Sequence, residues 1–315
     1  MKIAIIMPPS AKMRSGNSHT AHRWARFLRG MGHRVSVADA WTGGDAEVLI
    51  ALHARKSHPS IARFHKLRPG MPLIVVLTGT DLYRDIASSA KAKRSLDMAS
   101  RLVVLQERGR HELDRRHRAK TRVIVQSADV AVRHEPKSTA FRVAVVGHLR
   151  KEKDPFRAVS ALASMGEDED IEVVQLGMAL TPNMGEQAER WMKREPRYRW
   201  LGSKSHRQAM RWMAGSHLLV VSSVMEGGAN VICEAARIGT PVLASHISGN
   251  IGILGADYPG YFRLFDDAAL ARMMERARDD GAYYRKLKCA LRARSPLFAP
   301  AAERKALKHL IRDLT

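Results

Sequence analysis

The sequence predicts an α/β protein built as two successive doubly wound parallel-sheet domains of roughly equal size. Three observations carry that prediction. The chain has 315 residues, two to three times a common single-domain length. Short apolar runs rich in β-branched residues alternate with helical patterns, as βαβ units require. The alternation breaks once, around residues 129–140, and then starts again.

In the first cycle, Ile3 to Met7 is a continuous apolar run of the kind buried on both faces of a parallel sheet. Pro8 to Asn17 is a loop rich in Pro, Ser and Gly. Ser18 is placed to cap a helix whose Ala21, Trp24, Ala25, Leu28 and Met31 share one face. Gly32 supplies its stop, and Val35 to Val37 opens the next strand. Val48–Leu52, Leu73–Leu77, Leu102–Leu105 and Val123–Val125 read as further strands. Helical patterns at Ser60–Leu67, Ile86–Met98 and Glu107–Arg118 separate them.

The segment Val132-Arg133-His134-Glu135-Pro136-Lys137-Ser138-Thr139 reads as an interdomain linker. A second cycle follows, with strands at Phe141–Val146, Ile171–Val174, Leu218–Val221 and Pro241–Ala244. Ala301 to Leu314, after Pro296 and Pro300, is a basic helix. The expected domains are therefore 1–138 and 139–295, with 296–315 a helix returning to the first of them.

Composition narrows the function classes. Hydrophobic residues make up 45% and charged residues 27%, the balance of a folded globular chain. Two cysteines, Cys233 and Cys289, build neither a disulfide framework nor a four-thiolate zinc site, and fit a reducing compartment. The apolar run at the N-terminus is too short for a signal peptide, and no stretch approaches the ~20 apolar residues that span a bilayer. A soluble cytoplasmic protein is expected. The formal net charge is +22, of which residues 1–140, with 26 Lys or Arg against 11 Asp or Glu, hold +15. Such an excess calls for an anionic partner: nucleic acid, a membrane surface or phosphorylated small molecules. Patterns of nucleic-acid-binding modules are absent and aromatic content is 6%, so no nucleic acid is expected. A membrane contact would be peripheral.

Ligands of open parallel sheets bind beyond the carboxyl ends of the strands, where helix N-termini present backbone amides. After Val143–Val146 comes the turn Gly147-His148-Leu149-Arg150-Lys151-Glu152-Lys153, in which Arg150 and Lys153 are fit to clamp a diphosphate; a surface turn is the plainer reading of the same residues. After Leu218–Val221 comes Ser222-Ser223-Val224-Met225-Glu226-Gly227-Gly228-Ala229-Asn230-Val231, which opens a helix containing Glu234. Gly227 and Gly228 permit close backbone approach, and the amides of Gly228, Ala229 and Asn230 are placed to accept phosphate charge. Glu234, just over one turn into the helix, suits a ribose diol. Glu226 either faces the same cleft or merely complements the helix dipole.

These residues resemble those of the retaining GT-B glycosyltransferases of family 4. The resemblance rests on Ser222-Ser223, on Glu226 and Glu234 with seven residues between them, and on Ala235-Ala236-Arg237-Ile238-Gly239-Thr240-Pro241-Val242. It implies a GT-B architecture, two Rossmann-like domains facing across a cleft, and a sugar-nucleotide donor held by the second domain. Arg150 and Lys153 match the family's diphosphate-binding pair, and with Glu226 they are its implied catalytic residues. Gly202 and Ser205 to Gly215 match the segment where the nucleobase packs, and Gly227 to Val231 with Glu234 the remaining donor contacts.

A narrower resemblance, to the selenosugar synthases of selenoneine biosynthesis, rests on Glu226 to Val231, on Ser248 to Phe262 and on Pro8-Pro9-Ser10 through Ser15-Gly16-Asn17. It implies transfer from UDP-N-acetylglucosamine or UDP-glucose to selenophosphate, forming a carbon–selenium bond, with Ser245 to Gly255 beside the donor sugar. Ser15, Gly16 and Asn17 at a helix N-terminus, with His19, Thr20 and Arg23 behind, are the expected anion site for the acceptor. Where many family members carry His before Gly-x-Asp, this chain has Thr78-Gly79-Thr80-Asp81. Thr80, Asp81 and Gln126 are further acceptor-side candidates. His19 with His22 lacks a third ligand, and neither a metal nor a cofactor is expected.

Overall fold

The computed structural model describes residues 1–8, 16–137, 139–166 and 170–314. Ser15 and most of the Pro8–Asn17 loop lie outside the described residues. The chain divides into two compact units: Met1–Gln126 with Glu226–Gly228 and Pro300–Thr315, and Ser127–Met225 with Ala229–Ala299. These units divide after Gln126 and after Ala299, while the expected domain bounds are 138 and 295. The segment expected to be a linker belongs to the second unit, where His134, Glu135 and Lys137 donate backbone N–H bonds to Ile238, Ala214 and Gly215.

The first unit is a six-stranded parallel sheet of β1 (Lys2–Ile6), β2 (Arg34–Ala38), β3 (Val48–Leu52), β4 (Leu73–Leu77), β5 (Arg101–Val104) and β6 (Thr121–Val123), in the order β2-β1-β3-β4-β5-β6. β3 and β4 are buried at every residue, as their unbroken apolar runs require. α1 (Gly16–Arg29) covers one face, its Trp24, Ala25 and Leu28 packing with Ile3, Ile5 and Ile50. α2 (His58–Leu67) packs Ile61 and Phe64 into the core of the other face, against Leu49, Ala51 and Val75.

The second unit contains β7 (Phe141–Val146), β8 (Ile171–Leu176), β9 (Tyr198–Trp200), β10 (Leu218–Val221), β11 (Val242–Ser245) and β12 (Tyr261–Phe262), all parallel, in the order β12-β11-β10-β7-β8-β9. Both orders reverse direction once. The reversal falls between β1 and β3 in the first sheet and between β7 and β10 in the second. At such a switch point the flanking helices lie on opposite faces, which leaves a crevice at the strands' carboxyl ends.

Several expected elements differ in detail. Ser18 is not the cap of α1, which already begins at Gly16. The pattern over Ile86–Met98 is a π-helical turn (Asp81–Asp85), then α3 (Ile86–Ser88) and α4 (Ala90–Met98). Ser89 breaks the run by adopting an extended conformation and accepting a cap bond from the Ala92 amide. The pattern over Glu107–Arg118 ends as a 3-10 turn, and Asp114 caps a separate α5 (Arg115–Ala119) through the His117 amide.

The other helices are α6 (Arg157–Leu162), α7 (Pro182–Arg194), α8 (His206–Ala214), α9 (Asn230–Ile238), α10 (Ser248–Leu254), α11 (Asp267–Asp279), α12 (Gly281–Arg294) and α13 (Pro300–Arg312). α13 lies in the first unit, with Leu307, Leu310 and Ile311 in the same core cluster as Trp24 and Leu28. Among the described residues no helix is long and apolar enough to cross a membrane. Cys233 and Cys289 are not joined in a disulfide.

Candidate active site

The second unit's switch point gathers one group of predicted residues. Beyond β7, Arg150 precedes a single 3-10 turn, Lys151–Lys153, so both cations stand at its two ends. Three hydrogen bonds from the end of β10 fix this turn. Ser222 Oγ shares its proton between the carbonyls of Lys153 (3.1 Å) and Asp154 (2.8 Å), and the Val224 amide donates to the Glu152 carbonyl (3.0 Å). Asp154 adopts a left-handed conformation (φ 44°) and receives the Arg157 guanidinium at 2.8 Å. Lys153, Gly147, Gln175, Ser222 and Ser223 line a narrow cavity of about 20 Å³, room for one water.

Glycine is required at Gly177 because a Cβ there would stand 1.9 Å from the Gly147 carbonyl oxygen. The Gly177 amide in turn donates to the Gly202 carbonyl (2.9 Å), with Gly202 at φ 65° beside open space. α9 starts at Asn230, so the amides of Asn230 and Val231 fall in its first turn, where no intrahelical acceptor exists. Glu234, the fifth residue of α9, accepts a 2.8 Å hydrogen bond from Nε2 of His206. His206 opens α8, whose start is fixed by a capping box between Ser205 and Gln208. A third group lies beyond β11: Asn250 Nδ2 donates to the Ser245 carbonyl (2.9 Å) and hydroxyl (3.1 Å), and Ser245 Oγ donates to the Ser223 carbonyl.

Glu226, Gly227 and Gly228 are counted with the first unit, so the two glutamates of the motif sit in different units. Glu226 is 7% exposed. The two glycines are each hemmed in by packing within the first unit. A Cβ on Gly227 would lie 2.3 Å from the Thr78 carbonyl carbon and oxygen. One on Gly228 would lie 2.6 Å from Leu105 Cβ and 2.7 Å from Gln126 Oε1.

Most acceptor-side candidates have partners inside the first unit. Thr20 is buried, donates to the Gly16 carbonyl (3.0 Å) and accepts from Gln126 Nε2, so this pair ties α1 to the segment after β6. Asp81 is fully buried: Oδ1 accepts from the Thr78 and Gly79 amides and Oδ2 from the Ala54 amide, each at 2.9 Å. It shapes the loop after β4. Arg23 is bound to Glu303, and His22 to the Ser18 carbonyl of its own helix. Gly16 and Asn17 are the first residues of α1, and Thr80 remains half-buried at the start of the π-helical turn.

Sequence reasoning passed over His53 and His206. His53 had a usable signal, since it directly follows the apolar run Val48–Leu52 at a carboxyl strand end; His206 had only its place inside the Ser205–Gly215 segment.

The Glycosyl transferases group 1 family model matches residues 128–294. This chain belongs to the group 1 glycosyltransferases. Among solved structures, the sucrose-phosphate synthase of Thermosynechococcus elongatus is similar with a TM-score of 0.80 at 16% identity, covering 99% of this chain and 98% of that one. Anabaena HepE, in complex with UDP and glucose, has a TM-score of 0.80 at 15% identity over 99% of this chain and 100% of its own. A glycosyltransferase from Rickettsia africae has a TM-score of 0.76 at 12% identity, with 99% and 98% covered. The group 1 transferase thus shares with them the GT-B fold of two parallel sheets with flanking helices.

Proposed function

We propose that this glycosyltransferase moves a hexosyl or N-acetylhexosaminyl group from UDP-glucose or UDP-N-acetylglucosamine to selenophosphate, giving a 1-selenosugar. The observation that carries the donor half is the Arg150–Lys153 turn, tied by Ser222 to the switch point of the second sheet. Crystals of HepE contain UDP-glucose, a donor of the same class. The selenium acceptor is supported by the resemblance over Ser248–Phe262, and by a basic first unit suited to an anionic substrate.

In this reading selenium attacks C1 of the donor sugar while the C1–O bond breaks, and the bonding pair leaves on the UDP β-phosphate. Arg150, Lys153 and the first-turn amides of α9 stabilise the charge that develops there, with no metal required. Glu234 takes the ribose hydroxyls, exchanging its bond to His206 for them. Glu226 is assigned to the reacting end of the donor. Selenophosphate is already anionic and polarisable, so no base is needed to activate it. Water then cleaves the Se–P bond, releasing orthophosphate and the selenol.

UDP release tests this reading. It is expected from UDP-glucose or UDP-N-acetylglucosamine when selenophosphate is present, not when orthophosphate replaces it, and unchanged by chelator. Restoration of a chelator-abolished rate by magnesium or manganese would contradict the metal-independent mechanism.

A further inference from the structure

The first sheet has its own switch point, between β1 and β3, and the residue at the end of β3 is His53. It is 3% exposed and adopts φ 74°, a left-handed conformation that an L-residue with a ring side chain takes only when its surroundings enforce it. The enforcement is visible: the His53 amide donates to the Val76 carbonyl (2.8 Å), and its own carbonyl accepts from the Ser57 amide (3.0 Å).

The imidazole has two hydrogen-bonding neighbours. The Lys56 amide donates to Nδ1 at 3.4 Å, and Nε2 lies 3.1 Å from Thr80 Oγ1. Asp81 and Asp85 both stand 3.9 Å from a ring nitrogen, beyond hydrogen-bond reach. Their oxygens are held elsewhere: those of Asp81 by the three backbone amides, those of Asp85 by Arg55 (2.7 Å) and Arg84 (3.3 Å). A ring whose Nδ1 accepts must carry its proton on Nε2. That proton goes to Thr80 Oγ1, and the half-buried hydroxyl keeps its own proton for something else.

We propose that His53 is a positioning residue: as the Nε2–H tautomer it holds the Thr80 hydroxyl as an acceptor, so that Thr80 offers its own proton to an oxyanion of the acceptor substrate. This rests on the assignment of the first unit to the acceptor. Thr80 then becomes the acceptor-binding residue of the Thr78–Asp81 loop, Asp81 fixing the loop and His53 fixing the hydroxyl. Burial keeps the ring below the ordinary imidazole pKa, against the pull of Asp81 and Asp85 and with Lys56 and Arg55 acting the same way as burial.

Long-range proton–nitrogen correlation spectra of the histidine-labelled full chain at neutral pH read the tautomer directly, with His53→Gln identifying the resonance. A protonated Nε2 and bare Nδ1 are expected; a protonated Nδ1, or a ring protonated on both nitrogens, overturns the proposal. Orthophosphate serves as the oxyanion probe. It is expected to shift the His53 ring resonances in wild type and not in Thr80→Val, and a ring blind to phosphate in wild type overturns the proposal. In turnover assays with selenophosphate, Thr80→Val and His53→Leu are expected to raise the acceptor KM about tenfold, the weight of one hydrogen bond to an ion. The donor KM stays within about twofold, and Thr80→Ser and His53→Gln recover most of the loss. Equal effects on both substrates overturn the proposal. Failure of wild type to use selenophosphate would instead refute the acceptor named above, with the tautomer and the phosphate titration still deciding His53.

Discussion

Ser222 has no proposed contact with a substrate, yet the proposed diphosphate clamp depends on it. Its hydroxyl reaches two successive carbonyls of the turn carrying Lys153, so the lysine is held by the strand next to its own. Lys153→Ala or Arg150→Ala is expected to lower kcat/KM by about 2–4 kcal/mol of transition-state stabilisation, measured as UDP release; near-normal turnover in both would remove the clamp. Glu234→Gln should raise the KM for UDP-sugar more than that for the acceptor, and the opposite pattern would take Glu234 off the ribose. Gly227→Ala drives a methyl group onto the Thr78 backbone, 2.3 Å away, and is expected to destabilise the protein by about 1–3 kcal/mol or more in denaturant titrations. The sequence showed that glycine mattered here but not why: tolerance for phosphate and tolerance for a neighbouring backbone leave the same letter. The same ambiguity hid the burial of Thr20, Asp81 and Gln126, because a polar residue near the start of a helix or beyond a strand end looks alike whether it faces a ligand or holds a neighbouring segment.

At the level of elements, the strands were the most legible part, since runs such as Val48–Leu52 and Leu73–Leu77 have one physical reading at that length. Helices were less so. Ile86–Met98 keeps a helical apolar pattern across Ser89, and only the cap bond to Ala92 shows that the chain stops and restarts. α13 shows what sequence separation conceals. Its Glu303 is buried against Arg23 (2.7 Å) and Trp24 (2.7 Å) of α1, nearly three hundred positions earlier. Glu303→Ala leaves the Arg23 charge, 13% exposed, and the indole N–H without their partner. The expected loss is about 3–5 kcal/mol in thermal or chemical unfolding. A loss below about 1 kcal/mol would mean the pair is solvated and α13 is held by Leu307, Leu310 and Ile311 alone.

For the whole molecule, the pattern of histidines sets a pH dependence. Burial is the leading cause of a lowered pKa at His33, His53, His58, His134 and His217, with His134 falling to about 4. The unfolded chain binds these protons below about pH 6.5, while the folded chain refuses them until lower pH. Between those limits the unfolded state holds more protons, so stability falls as the pH falls. The melting temperature is expected to drop between pH 7 and pH 5, and His134→Gln to flatten part of that drop; a rise on acidification would contradict the assignment. The charge of +22 belongs at this scale too. It pointed to anions without choosing one, and the sugar-nucleotide donor proposed above rests on the turn at Arg150–Lys153 and the family match.

Mass spectrometry of the products tests the central claim most directly. Purified protein incubated with UDP-glucose or UDP-N-acetylglucosamine and selenophosphate should yield UDP and a sugar carrying the selenium isotope pattern, lost when orthophosphate replaces selenophosphate. UDP release with no selenium in any sugar, or a sugar product formed equally well without selenophosphate, would contradict it.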